Sequence, residues 1–180
     1  MELEFIRITS SKDKYFKECE TIYHTSFPLN ERRSQEEQER IFREYSNFFF
    51  YAIVNGNQVV GLISFWLFSD VLFGEHLAID HQLRSAGIGG EAIAFIKEKM
   101  EQCGRPIVLE IEPPCNEITC RREQFYLRHN FIRNSIKHCQ PPFHKNMEPL
   151  ELIIMSYPEL ITPQKYSTFI KEYSEIMPKF

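Results

Sequence analysis

The 180-residue chain is 43% hydrophobic and has a formal net charge of −4, from 21 Lys and Arg against 25 Asp and Glu. That length and apolar share suit one domain with a substantial core. The acidic balance argues against general attraction to nucleic acid or to an anionic membrane.

Glu4-Phe5-Ile6-Arg7-Ile8 reads as a first short strand. Ser10 or Ser11 then caps a helix from about Lys12 to His24, in which Tyr15, Phe16, Cys19, Ile22 and Tyr23 recur at helical spacing. Phe27-Pro28-Leu29-Asn30 breaks the pattern, and Ser34-x-x-Glu37 opens a second, highly charged helix through Ile41-Phe42 to Tyr45. The aromatic and branched run 48–54 is a strand, and Asn55-Gly56-Asn57 turns it back as 58–68. A third strand over 71–79 completes an antiparallel meander.

Next comes a glycine-rich loop at 84–90, followed by a helix over 91–102 with Ala92, Ile93, Phe95 and Ile96. Pro106 to Glu112 is a strand stopped by Pro113-Pro114, so the crossover from Leu77 forms a parallel, right-handed βαβ unit. A helix from about Ile118 to His129, a strand at 131–138, the loop Gln140-Pro141-Pro142-Phe143 and a strand at 150–157 follow. Thr162-Pro163 opens a last helix to Ile176. With no repeat, low-complexity tract or linker, residues 1–180 are expected to form a single domain, with 158–180 as a C-terminal helical extension.

The five cysteines, Cys19, Cys103, Cys115, Cys120 and Cys139, include no Cys-x-x-Cys pair and read as free thiols. Met1-Glu2-Leu3-Glu4 is acidic where a signal peptide is basic, and the apolar-rich stretch 59–73 is interrupted by Ser64, Ser69 and Asp70. A soluble cytoplasmic protein that spans no membrane is expected.

The loop Arg84-Ser85-Ala86-Gly87-Ile88-Gly89-Gly90 lies between a strand and a helix, a context suited to phosphate. A helix start presents N–H groups without intrahelical partners and the positive end of the macrodipole. Glycines let a ligand approach the backbone, and Arg84 adds a charge suited to bidentate phosphate contact. No Lys-Ser/Thr pair follows Gly89-Gly90, which excludes a P-loop. A dinucleotide fingerprint survives on spacing, with Ala92 and Glu110 near its remaining positions. A second notable segment, Phe125-Tyr126-Leu127-Arg128-His129-Asn130-Phe131, lies about 40 residues downstream.

The element order and these two segments resemble the GNAT superfamily of acyl-CoA-dependent N-acyltransferases. Arg84 to Gly89 is similar to that family's Arg/Gln-x-x-Gly-x-Gly/Ala signature, Leu77-Ala78-Ile79 to the strand before it, and Phe125 to Phe131 to its Phe-Tyr-x-x-x-Gly-Phe segment. Asn130 replaces the usual Gly, which suits a left-handed position. Thr119 and Arg122 stand where Asn and Ala are common, so a cofactor contact from Asn does not carry over. A dinucleotide sheet would begin with its glycine loop instead of placing it after four strands, so that alternative falls.

The resemblance implies an α/β (α+β) fold: a mixed, mostly antiparallel, splayed sheet of about seven strands flanked by helices on both faces. It implies acetyl-CoA as co-substrate, with the backbone of Leu77, Ala78 and Ile79 along the pantetheine and Arg84, Ser85, Ala86, Gly87, Ile88, Gly89 and Gly90 around the pyrophosphate. The thioester carbonyl would be polarised by a backbone N–H near Ile79. Tyr126 would give the leaving thiolate its proton.

For the base, Glu75, Glu110 and Glu112 lie on the strands that would border the cleft, with Glu75 ranked first. A solvated strand-end carboxylate is the plain alternative for each. The resemblance nominates Phe27 to Arg33 and Gln140 to His144 for the acceptor, a small-molecule, amino-acid or peptide amine, and leaves room for a homodimer. His76, His81, His138 and His144 match no ligand spacing, so no metal is expected. The competing reading is a non-catalytic acyl-CoA sensor or assembly module of the same fold.

Overall fold

The computed structural model describes residues 2–178. Among them the chain forms β1 (Leu3–Ile8), α1 (Phe16–Ser26), α2 (Gln35–Glu44), β2 (Phe48–Asn55), β3 (Gln58–Leu67), β4 (Leu72–Ile79), α3 (Ile88–Cys103) and β5 (Ile107–Ile111). The remaining elements are α4 (Glu117–Arg128), β6 (Ile132–Arg133), β7 (His138–Gln140), β8 (Leu150–Tyr157) and α5 (Pro163–Ile176). Single 3-10 turns lie at Leu29–Glu31 and His81–Leu83. The strands are hydrogen-bonded in the order β1-β2-β3-β4-β5-β8-β6, with β7 also on β8. β1–β2, β2–β3, β5–β8, β6–β8 and β7–β8 pair antiparallel, whereas β4 and β5 run parallel, as the crossover requires.

Eight strands stand where about seven were expected, because the predicted strand 131–138 divides. Asn134 is the cause. Its Nδ2 donates to Ser156 Oγ (2.9 Å) and Ile132 O (3.2 Å), and its Oδ1 accepts from Ile161 N (3.0 Å). A side chain that takes neighbouring backbone groups in this way competes with a ladder.

By contacts the chain gathers into two compact units. The first runs to Leu67 and resumes over Glu75–Ile96. In it β1, β2 and β3 form an antiparallel meander whose register runs from Leu3↔Asn55 to Ile8↔Phe50 and from Phe48↔Trp66 to Asn55↔Gln58. Gly56, at φ 62°, makes the turn. Ile8, Phe16, Cys19, Ile41, Phe50, Ala52, Leu62 and Trp66 are buried and form much of its core. The first helix starts at Phe16, later than expected, because the Asp13 carboxylate accepts the Thr9 and Ser10 N–H groups (2.6 and 3.1 Å) and holds a turn there. Ser34 caps α2 as its sequence suggests, accepting Glu37 N–H at 3.2 Å, but the Glu37 side chain pairs with Arg40 instead of reaching back.

One close approach shapes β4. A bulge between Ile53 and Val54 shifts the β2–β3 register, and there Val60 O accepts Asp80 N–H at 3.0 Å. A Cβ on the neighbouring Gly61 would lie 2.6 Å from Ala78 O and 2.9 Å from Ile79 Cδ1. Glycine at 61 is therefore what lets the backbone at Ala78 and Ile79 sit where it does.

The second unit comprises Phe68–Gly74 and the chain from Lys97 onward. Leu72, Phe73 and Gly74 pair with Ile107, Val108 and Leu109, and β5 pairs in turn with β8 from Ile107↔Tyr157 to Ile111↔Ile153. Phe68, Phe73, Phe169 and Tyr173 pack as an aromatic cluster, with ring centroids 5.2–6.1 Å apart. Asn116 and Thr119 form a reciprocal cap on α4. Asn130, at φ 62°, ends that helix in the left-handed position foreseen for it. Thr162 caps α5, accepting Lys165 N–H at 3.2 Å, and Pro163 follows in its first turn. No helix among the described residues is long and apolar enough to cross a membrane.

Gly61→Ala is expected to lower unfolding free energy by about 1–3 kcal/mol through overpacking against Ala78. Urea denaturation would show it as a lower midpoint with an unchanged slope.

Candidate functional site

The loop after β4 has the geometry of an anion cradle. Asp80 Oδ1 accepts Gln82 N–H at 3.0 Å and starts the 3-10 turn. Arg84 to Gly87 are exposed, while Ile88 is buried and pins the start of α3 in the core. Ser85 and Gly87 both adopt left-handed backbone, at φ 70° and 83°. The Gly87 carbonyl accepts the N–H groups of Gly90 (3.0 Å) and Glu91 (3.3 Å), so the helix begins there. The preceding N–H groups of its first turn have no intrahelical acceptor. Arg84 Nε reaches the Ile79 carbonyl at 3.4 Å, which leaves the guanidinium at the loop surface.

Of the strand residues expected to line a pantetheine arm, Ala78 is buried and Leu77 and Ile79 are half-buried. All belong to the same unit as the loop.

Glu75 lies at the centre of a buried polar cluster. Arg33 Nη1 and Nη2 donate to its Oε2 and Oε1 at 2.6 and 2.5 Å, and Trp66 Nε1 donates to Oε1 at 3.0 Å. The side chains of Arg33 and Glu75 are 0% and 5% exposed. His76 Nδ1 lies 3.4 Å from Glu75 Oε2, and His76 Nε2 donates to the Glu31 carbonyl at 2.9 Å. Tyr23 completes the cluster, its hydroxyl accepting Arg33 N–H at 3.0 Å. Burial alone would raise the Glu75 carboxyl, but the charge of Arg33 and the bonds from His76 and Arg33 outweigh it. They hold it well below the usual carboxylate range. Burial is also the main cause of the upward shift of the Tyr23 hydroxyl.

A carboxylate so placed is a weak proton acceptor. Chemically, it and Arg33 form a nearly neutral bolt between segment 27–34 and strands β3 and β4. No sequence signal links Arg33 to Glu75, since 42 positions separate them.

In the second unit, Tyr126 on α4 packs between Phe125 and Phe131, at centroid distances of 5.2 and 5.5 Å. Burial pushes its hydroxyl up to about 12 against the opposing pull of Arg122, so it keeps its proton at neutral pH. Glu112 pairs with Arg122. Glu110 accepts hydrogen bonds from His138 Nε2 and from the Tyr173 hydroxyl, the latter at 3.2 Å.

Thr119 is buried and committed to the α4 cap, where its Oγ1 accepts the N–H groups of Cys115 and Asn116, both at 3.0 Å. Gln140 and Phe143, in the segment nominated for the acceptor, are buried. Among the described residues no three His, Cys, Asp or Glu side chains are grouped as a metal site would need.

A model of the acetyltransferase (GNAT) family matches residues 16–131. YjbC of Bacillus subtilis (strain 168), which carries an acetyltransferase name, is 31% identical over 116 residues. That alignment takes in 63% of this chain and 54% of YjbC, so the chain matches about half the length of this curated relative. A solved GNAT-family structure from Bacteroides thetaiotaomicron superposes with a TM-score of 0.81 at 28% identity, over 96% of this chain and 95% of its own. A GNAT acetyltransferase of Elizabethkingia anophelis, solved with acetyl-CoA bound, shares the fold at a TM-score of 0.60 and 12% identity, over 86% and 96% of the two chains.

Arg33→Ala is expected to destabilise the protein by about 3–5 kcal/mol, because it strands a buried carboxylate. The Glu75 carboxyl is lowered in the folded state, so its contribution is complete above its unfolded pKa of about 4.3 and is lost as pH falls through the folded value. Acid titration followed by circular dichroism should accordingly show a shallower stability loss below pH about 4 in Glu75→Gln than in the unmodified chain.

Proposed function

Because the chain belongs to the acetyltransferase (GNAT) family, we propose that it transfers the acetyl group of acetyl-CoA to a primary amine of a small molecule, amino acid or peptide by direct attack. The observation that carries this reading is the loop 84–90, exposed from Arg84 to Gly87, with left-handed backbone at Ser85 and Gly87 and a helix start behind it. An anion there meets backbone N–H groups, the helix dipole and Arg84 together. Acetyl-CoA in the Elizabethkingia anophelis neighbour supports the choice of ligand.

In this reading Arg84, Ser85, Ala86, Gly87, Ile88, Gly89 and Gly90 hold the pyrophosphate. Leu77, Ala78 and Ile79 offer backbone groups to the pantetheine amides, and an N–H near Ile79 polarises the thioester carbonyl. The amine nitrogen attacks that carbon, the C–N bond forms and the C–S bond breaks. Tyr126, protonated at neutral pH, donates a hydrogen bond to the departing thiolate and supplies its proton. Loss of a proton from the acylated nitrogen restores the balance.

Glu75 acts with Arg33 in fixing segment 27–33, which we assign to the acceptor side. Its low proton affinity favours that anchoring role over proton abstraction.

Thiol release from acetyl-CoA over an amine panel, beside calorimetric titration of CoA, tests the reading. Release with at least one amine and saturable CoA binding are expected. Binding without release would favour the sensor, and absence of binding would sink both. Arg84→Ala should weaken CoA binding about tenfold. Tyr126→Phe should lower kcat by about 100-fold or more with CoA affinity unchanged.

A further inference from the structure

An extended chain turns the peptide groups of successive residues to opposite edges, so Leu77, Ala78 and Ile79 cannot all serve the same neighbour. One hydrogen bond fixes which faces where. Asp80 N–H donates to Val60 O at 3.0 Å, so the Asp80 amide faces β3. Two positions earlier Ala78 faces the same way, and its carbonyl lies 2.6 Å from where a Cβ on Gly61 would stand. Leu77 and Ile79 therefore present their N–H and C=O groups at the other edge.

Two observations agree with that assignment. Arg84 Nε, on the exposed loop, reaches the Ile79 carbonyl at 3.4 Å, an approach that a carbonyl committed to β3 would not permit. The ladder between β4 and β5 takes in Leu72, Phe73 and Gly74 and goes no further among the described residues. Peptide groups on an edge that no strand covers take their partners from water or from a ligand.

What stands behind this edge is Gly61. A Cβ there would meet Ala78 O at 2.6 Å, Ile79 Cδ1 at 2.9 Å and Ile53 Cδ1 at 3.3 Å. The isoleucine methyls can swing aside, but the carbonyl moves only with its strand. β3 has no room to retreat, because β2 is hydrogen-bonded along its opposite side. Any side chain at 61 therefore pushes β4 outward at Ala78 by several tenths of an ångström and tilts the peptide planes of Leu77 and Ile79 with it.

We propose that Gly61 is a positioning residue for the acyl donor: by letting Ala78 close onto β3, it aims the Leu77 and Ile79 peptide groups at the pantetheine arm. The proposal rests on the acetyltransferase reading above and narrows its pantetheine contacts to Leu77 and Ile79, with Ala78 as their inward anchor. The Ile79 N–H, which polarises the thioester carbonyl in that reading, takes its direction from the same contact. The pyrophosphate loop does not depend on it, since its turn is set by Asp80 and by the left-handed Ser85 and Gly87.

The experiment compares CoA with its nucleotide fragment adenosine 3′-phosphate 5′-diphosphate, which keeps the pyrophosphate and lacks the pantetheine. Gly61→Ala should weaken CoA binding about tenfold and leave the affinity for the fragment within about twofold, a split that loss of stability alone would not produce. With acetyl-CoA saturating, kcat should also fall about tenfold, as a small misplacement of the polarising N–H implies. Hydrogen exchange of the unmodified protein, followed by NMR, reads the edge directly. CoA should slow exchange of the Leu77 and Ile79 amides about tenfold or more, the fragment should not, and the Ala78 and Asp80 amides should be protected without any ligand. A folded Gly61→Ala variant that binds CoA as the unmodified chain does, or that loses CoA and fragment affinity equally, overturns the proposal. If Gly61→Ala does not fold, hydrogen exchange decides, and Leu77 and Ile79 amides that CoA leaves unprotected overturn it. Failure of the unmodified protein to bind CoA sinks the acetyltransferase reading and this proposal together. CoA binding with the expected split and protection, but with no thiol released to any amine, sinks only the transfer and leaves the role of Gly61 standing.

Discussion

A guanidinium and a carboxylate, both withdrawn from water, hold the first unit to one arrangement. Arg33 ends the irregular segment after α1, Glu75 sits on β4, and two short hydrogen bonds join them. Neither group tolerates the absence of the other inside an apolar surround, so segment, strand and the Trp66 indole that also binds Glu75 must be placed together. His76, Tyr23 and the Glu31 carbonyl extend the same logic to backbone groups of the segment. The result is a fixed polar seam beneath residues that would otherwise be a free loop.

The loop at 84–90 follows another rule. It is held by local geometry: a 3-10 turn capped by Asp80, two left-handed residues, and Ile88 anchored in the core. None of these contacts involves the ion pair. The loop backbone and the buried polar cluster are separate constructions, one built from neighbouring residues and the other from distant partners.

What the sequence disclosed divides along the same line. Asn55-Gly56-Asn57, the Ser34 and Thr162 caps and the left-handed Asn130 were all legible, because each depends on residues within a few positions of one another. Signals that depend on distant partners were not. Nothing near Glu75 announces Arg33, and nothing in the run 131–138 shows that Asn134 would turn its amide to Ser156 and Ile161 and break the strand in two. The delayed start of α1 is a smaller case, where one Asp carboxylate outcompetes the serines as an organiser of the turn. In the glycine loop the spacing was visible, but left-handed Ser85 was not, since serine carries no obligation to that conformation.

The aromatic and imidazole partners of Glu110 give the last helix a meaning beyond packing. The stretch matched by the family model ends at residue 131, and it contains Glu110 but not His138, Tyr166 or Tyr173. A residue inside the matched stretch thus receives its hydrogen-bond partners from beyond it. Glu110 is therefore held by segments that the family match does not reach, so a change in β7 or α5 would reach its carboxylate without altering the strand that carries it.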